Sequence, residues 1–247
     1  MRKVNKELCE AAKLGDASVL KKLLLRPGCD ASSTDHLGST ALMFAAKNGH
    51  ASCVEMLITA GNALSKDIRG MTALMWAADN GHAACVGLLL PVSEAKAKDG
   101  NHLTPLMRAS CGGHLSCVQM LLPFSDLLDK DQYGQTALMF AASEGHASCV
   151  QVLISSSDPL ATDAWNETSL MRAAETGSFS CVQLLLPVSA AWAACNNGRT
   201  ASELAKINGH GRLADFIDAY VISMSELAAI DSSAGPGAPR KTRAPRV

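Results

Sequence analysis

Thr40, Thr72, Thr104, Thr136, Thr168 and Thr200 fall 32 residues apart every time, and each opens a similar heptad: TALMFAA, TALMWAA, TPLMRAS, TALMFAA, TSLMRAA and TASELAK. Gly49, Gly81, Gly113, Gly145, Gly177 and Gly209 keep the same interval; Cys53, Cys85, Cys117, Cys149 and Cys181 follow them, with Leu213 in the sixth place. A degenerate earlier copy starts at Leu8, where Ala11, Ala12, Gly15, Leu23 and Leu24 match Ala45, Ala46, Gly49, Leu57 and Ile58. A fixed period of this length describes one supersecondary unit used again and again, each copy touching its neighbours only.

One unit can be read physically. Thr40 is placed to cap a helix by accepting a backbone N–H, and Pro105 in a later copy sits at the first helical position, where proline is tolerated. Leu42, Ala45 and Ala46 then share one face at helical spacing, and Gly49 suits the left-handed residue that ends a helix. A second helix follows, with Cys53, Val54, Leu57 and Ile58 as its apolar stripe. Pro91, Pro123 and Pro187 come directly after Leu90, Leu122 and Leu186, where another helical turn must stop. Asp67-Ile68-Arg69-Gly70 reads as a turn. Each unit is therefore two short antiparallel helices and a turn, unable to bury its apolar face alone, and the copies must stack into an all-α solenoid.

Composition supports this. The chain is 48% apolar but only 4% aromatic, so its core is expected to consist of Ala, Leu, Val, Met and Cys. A formal net charge of -1 over 247 residues gives no general attraction to nucleic acid or anionic lipid. No apolar run approaches the roughly 18 residues of a membrane span; the richest stretch, Leu184 to Cys195, is broken by Pro187 and Ser189. The charged start shows no secretory signal, so a soluble, cytoplasmic protein is expected, with its nine cysteines as free thiols.

At this point the residues carry a resemblance. The pattern D-x-x-G-x-T-x-L-x-x-A-A-x-x-G-H-x-x-x-V-x-x-L-L is similar to the ankyrin repeat over about residues 5 to 221, and its TALM-x-AA and GH-x-x-CV wording resembles the ankyrin-only Protein 21.1 type arrays of Giardia. The resemblance implies an ankyrin-repeat solenoid of about seven helix-turn-helix units joined by β-turn or hairpin loops. The units fall at about 5–34, 35–66, 67–98, 99–130, 131–162, 163–194 and 195–230, within a domain of 1–230. Two departures stand out. Met43, Met75, Met107, Met139 and Met171 replace the family's usual His, so its hydrogen-bond network there is expected to be missing. The usual Gly-Ala-Asp after the second helix is eroded, as in Pro91-Val92-Ser93, so those loops are expected to differ. The ends are more polar, as solvent-facing caps require: Lys6, Glu7, Glu10, Lys13, Lys21 and Lys22 at one end, Glu203, Asp215 and Asp218 at the other. Ser225 to Ile230 is expected to add a short helix. Residues 231–247 read as a disordered basic Pro/Gly-rich tail of net charge +3, serving as a solubilising end or as a short docking or targeting motif.

Candidate chemistry is weak. His50/Cys53, His82/Cys85, His114/Cys117 and His146/Cys149 present two soft ligands at i and i+3. Neighbouring helices roughly 8–10 Å apart do not let adjacent copies converge on one ion, and buried Cys is a good small hydrophobe. The same distance argues against disulfides along the ladder. The repeated His has no fixed acid or nucleophile beside it, and the resemblance gives it a role in joining adjacent repeats, with Ser178 standing in for one. No nucleophile-elbow, zincin, Walker or kinase motif occurs. No enzyme, metal or cofactor is expected.

The informative positions are those that vary. The fifth place of the heptad holds Phe44, Trp76, Arg108, Phe140, Arg172 and Leu204, and Lys47, Asp79, Glu144 and Glu175 follow on the same helix face. The turn tips vary as well, with Arg69, Tyr133, Trp165 and Arg199 among them. The resemblance implies partner binding by these tips and by the inner-helix ridge on a concave face. Trp, Tyr and Arg are the side chains enriched in binding hot spots, although Phe44 and Phe140 are also suited to packing between units. The expectation is a monomeric, non-catalytic scaffold or adaptor for a protein partner. A structural or cytoskeletal spacer array is the alternative, and a nucleic-acid reader ranks third because the repeats are acidic.

Overall fold

The computed structural model describes residues 3–233, with side chains described through 227. It contains seven antiparallel helix pairs and no strand among those residues: α1 (Lys3–Leu14) with α2 (Ala17–Leu24), α3 (Ala41–Lys47) with α4 (Ala51–Ala60), α5 (Ala73–Asp79) with α6 (Ala83–Leu89), α7 (Pro105–Cys111) with α8 (Leu115–Leu121), α9 (Ala137–Ser143) with α10 (Ala147–Ile154), α11 (Ser169–Glu175) with α12 (Phe179–Leu185), and α13 (Ala201–Ile207) with α14 (Gly211–Ser233). The odd-numbered helices stack in one row and the even-numbered ones in a second row beside it. The core runs between the two rows. It repeats Leu42, Ala45, Ala46, Cys53, Val54 and Leu57 from unit to unit, almost wholly buried.

The caps follow from the heptad. Thr40 Oγ1 accepts from the Met43 backbone N–H at 3.3 Å, and the other heptad threonines do the same. The methionines do not simply delete the network expected of a histidine. Met75, Met107 and Met139 each turn their Sδ back to within 3.5 Å of the Thr72, Thr104 and Thr136 backbone N–H, a weak sulfur version of the capping box. In the last unit Glu203 accepts from Thr200 N at 2.8 Å, the ordinary oxygen version.

The loops after the second helices are not all alike, and in three units a proline shapes them. The α-helix stops at Leu89, Leu121 and Leu185, and each proline then sits inside a single 3₁₀ turn, Leu90–Val92, Leu122–Phe124 and Leu186–Val188. Proline's missing donor is harmless at the start of such a turn. At the far end, Ser225 to Ile230 is not a separate short helix. It is the continuation of α14, which runs unbroken from Gly211 past residue 230 to Ser233. The basic tail beyond Ser233 lies outside the described residues.

Two kinds of bond recur between neighbouring units. At the tips, Ile68 N–H donates to Leu37 O, Gly100 to Arg69 O, Gln132 to Asn101 O, Ala164 to Tyr133 O and Asn196 to Trp165 O, all between 2.8 and 3.1 Å. Behind them, Nε2 of His50, His82, His114 and His146 meets the carbonyls of Lys13, Lys47, Asp79 and Cys111, each at 3.0 Å. Gly49 shows why glycine precedes these histidines. Its φ is 76°, and a Cβ there would stand 2.6 Å from Nδ1 of His82 in the following unit.

Candidate protein-binding face

The variable fifth heptad position is set by the turn before it. In five turns an aspartate uses Oδ1 to accept two backbone N–H groups, two and four residues on: Asp35 from Leu37 and Ser39, Asp67 from Arg69 and Met71, Asp99 from Asn101 and Leu103, Asp131 from Tyr133 and Gln135, and Asp163 from Trp165 and Glu167. This is the Asx-type bonding that lets a short acid hold a turn. The heptad's fifth residue lies nine positions later, and in three of the five units its side chain folds back to the same carboxylate.

Trp76, Arg108 and Arg172 use the second oxygen. Trp76 Nε1–H donates to Asp67 Oδ2 at 3.3 Å, Arg108 pairs with Asp99 Oδ2, and Arg172 gives Nε and Nη2 to Asp163 Oδ2, the former at 3.1 Å. These carboxylates are almost fully buried. The arginines bring in further acids: Arg108 reaches Asp79 of the preceding unit at 3.4 Å, and Arg172 reaches Glu167 at 3.2 Å and Glu175 at 3.5 Å. Burial works against both guanidinium charges, but the bonds to Asp99 and Asp163, with the surrounding acids, leave both pKa values above the ordinary one. Glu167 is pushed up by burial, which Arg172 opposes.

The ridge is thus less exposed than its sequence suggests. Trp76 is only 8% exposed, with Lys47 Nζ 4.4 Å and the Arg69 guanidinium 4.5 Å from its ring centroid. Arg108 and Arg172 are engaged by two and three carboxylates. Asp79 and Glu175 are accordingly partners of those arginines. Phe44 and Phe140 are half-buried against the core. Around Phe44 and Trp76 a cleft of about 220 Å³ opens, walled by Leu37 and Ile68 and rimmed by Lys47 and Arg69.

The tips are freer. Tyr133 and Trp165, on adjacent turns, stack with centroids 5.7 Å apart and stay 49% and 45% exposed. The Arg172 guanidinium lies 5.3 Å from the Trp165 ring. Glu144 and Arg199 are exposed and make no ion pair among the described residues.

The turn aspartates position the ridge without standing out in the sequence, although D-x-x-G-x-T carries them at a spacing of nine from it. Equally inconspicuous are Leu64, Leu128, Leu160 and Trp192, exposed apolar residues that follow the 32-residue period. Read as metal ligands, the His-x-x-Cys pairs fare differently: each imidazole Nε2 is bonded to a carbonyl, and each cysteine is buried in the core. Burial pushes the Cys117 thiol up to about 11.

A family model described as ankyrin repeats (3 copies) matches residues 8–99 and 85–163. Among solved structures, the chain is similar to the human ASB11 ankyrin repeat domain at 24% identity and a TM-score of 0.73, over 85% of this chain and 96% of that one. A search of the curated proteins finds no match.

Proposed function

Because the chain belongs to the ankyrin-repeat family, whose repeats generally mediate protein–protein interaction, we propose that it is a non-catalytic scaffold or adaptor. Its protein partner is held along the turn tips and the inner-helix ridge, and it works as a monomer in the cytoplasm. The narrower kinship with ankyrin-only arrays of the Giardia type belongs to the same proposal. The observation that carries it is the Tyr133–Trp165 stack, two half-exposed aromatic rings already assembled on neighbouring tips. Ordering these rings costs a partner little, because the stack and the tip bonds hold them beforehand. Lys47, Arg69, Glu144 and Arg199 supply a polar margin of both signs. Trp76, Arg108 and Arg172 contribute mainly by fixing the shape of that surface.

The test is capture of the partner with the full chain from its own cell type, followed by titration of the identified protein. Trp165→Ala or Tyr133→Ala should weaken binding by about 2 kcal/mol, while Gln119→Ala and Gln151→Ala, exposed on the second helices, should be silent. Equal binding by all four variants, or co-sedimentation with a polymer unaffected by the tips, would favour the spacer reading.

A further inference from the structure

The five turn aspartates make an internal control. In three units Oδ2 is taken by a donor nine residues on, Trp76, Arg108 or Arg172. In the unit between the two arginines the ninth residue is Phe140, which has no donor. Asp131 is still only 8% exposed, its Oδ1 still accepts from Tyr133 and Gln135, and Oδ2 has no partner among the described residues. That oxygen is not sealed off from solvent; it is an open anionic acceptor on an otherwise buried, fixed carboxylate, and a charge-assisted pair with a cation of the right shape suits it. We propose that Asp131 and Phe140 form a guanidinium socket, filled by an arginine side chain of the protein partner as Arg108 and Arg172 fill the equivalent places on either side. The inference rests on the reading of this face as a protein-binding surface.

The geometry selects arginine. Arg172 shows two N–H groups of one guanidinium converging on a single turn carboxylate oxygen, which the single ammonium of lysine does not reproduce. A planar cation can also lie on the Phe140 ring, as Arg69 and Arg172 lie against Trp76 and Trp165. The local field agrees. Arg108 and Arg172 are already neutralised by two and three acids, and Glu144 is exposed and unpaired four residues beyond Phe140. Asp35 and Phe44 repeat the arrangement in the second unit, but Asp35 is only half-buried, and Lys6, Lys13, Lys47 and Arg69 line the clefts around it. Those four cations outnumber Glu10 and Asp67, the other acids lining the same clefts, so a further cation is held less well there. In the last unit both halves are gone, with Cys195 and Leu204 in the two places.

The probe is Nα-acetylarginine amide, titrated into the ¹⁵N-labelled full chain, with the citrulline and lysine amides in parallel. The Tyr133 and Gln135 amides, which donate to Asp131 Oδ1, report on the site. Saturable shifts with arginine, about tenfold weaker with uncharged citrulline and weaker with lysine, support the socket. Asp131→Asn keeps the turn acceptor and should weaken the arginine response by about tenfold. Phe140→Arg should fill the socket from within, abolishing the response without lowering the melting temperature. No shift at these amides, or an unchanged one in both variants, overturns the proposal. Arg240, Arg243 and Arg246 of the chain's own tail are the other source of guanidinium. If the probe binds only when all three are changed to Gln in the full chain, the occupant is the tail, and the assignment to a partner is overturned. A silent probe beside a Trp165→Ala variant that loses the captured partner removes the socket alone. A responsive probe beside an unaffected Trp165→Ala variant removes the broader reading.

Discussion

His114 holds Asp79 by its backbone and Arg108 holds it by its side chain: Nε2 meets the Asp79 carbonyl at 3.0 Å, and Nη1 meets its carboxylate at 3.4 Å. One residue at the end of α5 therefore anchors the next unit twice. His114→Ala should lower stability by about 1–2 kcal/mol, read from urea denaturation. The junction at Ser178 lacks such a ring, and Ser178 lies close over Gly145. Ser178→His should raise stability by about 1 kcal/mol; a loss there would mean this junction is spaced differently from the others.

Trp76 and Trp165 should separate in a thermal melt. Trp76 is buried and bonded to Asp67, so Trp76→Ala should cost about 3 kcal/mol or more. Trp165, half-exposed, should change stability by under about 1 kcal/mol when cut to Ala. Arg108→Leu belongs with Trp76, because it leaves the buried Asp99 carboxylate without its cation and should cost about 2 kcal/mol. A binding defect in Trp76→Ala is therefore interpretable only below its melting temperature.

Ser110 is 0% exposed and its hydroxyl has no hydrogen-bond partner among the described residues. Ala46, Ala78, Ala142 and Ala174 fill the same place in other units. Ser110→Ala should thus stabilise by about 1 kcal/mol. A loss of stability would show that the hydroxyl is satisfied.

Alkali should unfold the protein through its thiols. Burial raises Cys117 from 9.0 to about 11, so an unfolded chain loses that proton first as pH rises. The stabilising contribution is full below about pH 9 and falls away as pH climbs through the folded value. Near pH 10 the single thiol should cost about 1 kcal/mol. Cys117→Val should flatten the alkaline limb of a stability–pH curve while leaving neutral stability nearly unchanged.

The period made the helix pairs, the threonine caps and the cysteine stripe legible, because each depends on residues within one turn of helix. The ridge was half legible. Identity and position of Trp76, Arg108 and Arg172 were plain, but their direction depends on a turn carboxylate nine residues back, a relation between two elements rather than within one. Met75 stands where the family has His, so the sequence points to a missing hydrogen bond; the structure brings its sulfur to the Thr72 N–H all the same. The continuous α14 escaped notice because its apolar residues follow no strong stripe past Tyr220.

The tip bonds and imidazole bonds reach from each unit to its immediate neighbour. Excising residues 131–162 as a block would set Ala164 opposite Asn101 and Ser178 over Gly113, the places now taken by Gln132 and His146. The scar would resemble any other seam. Whole-block gain or loss is then a mild event for such a gene, whereas a shift of even one residue inside a block breaks both joints at once.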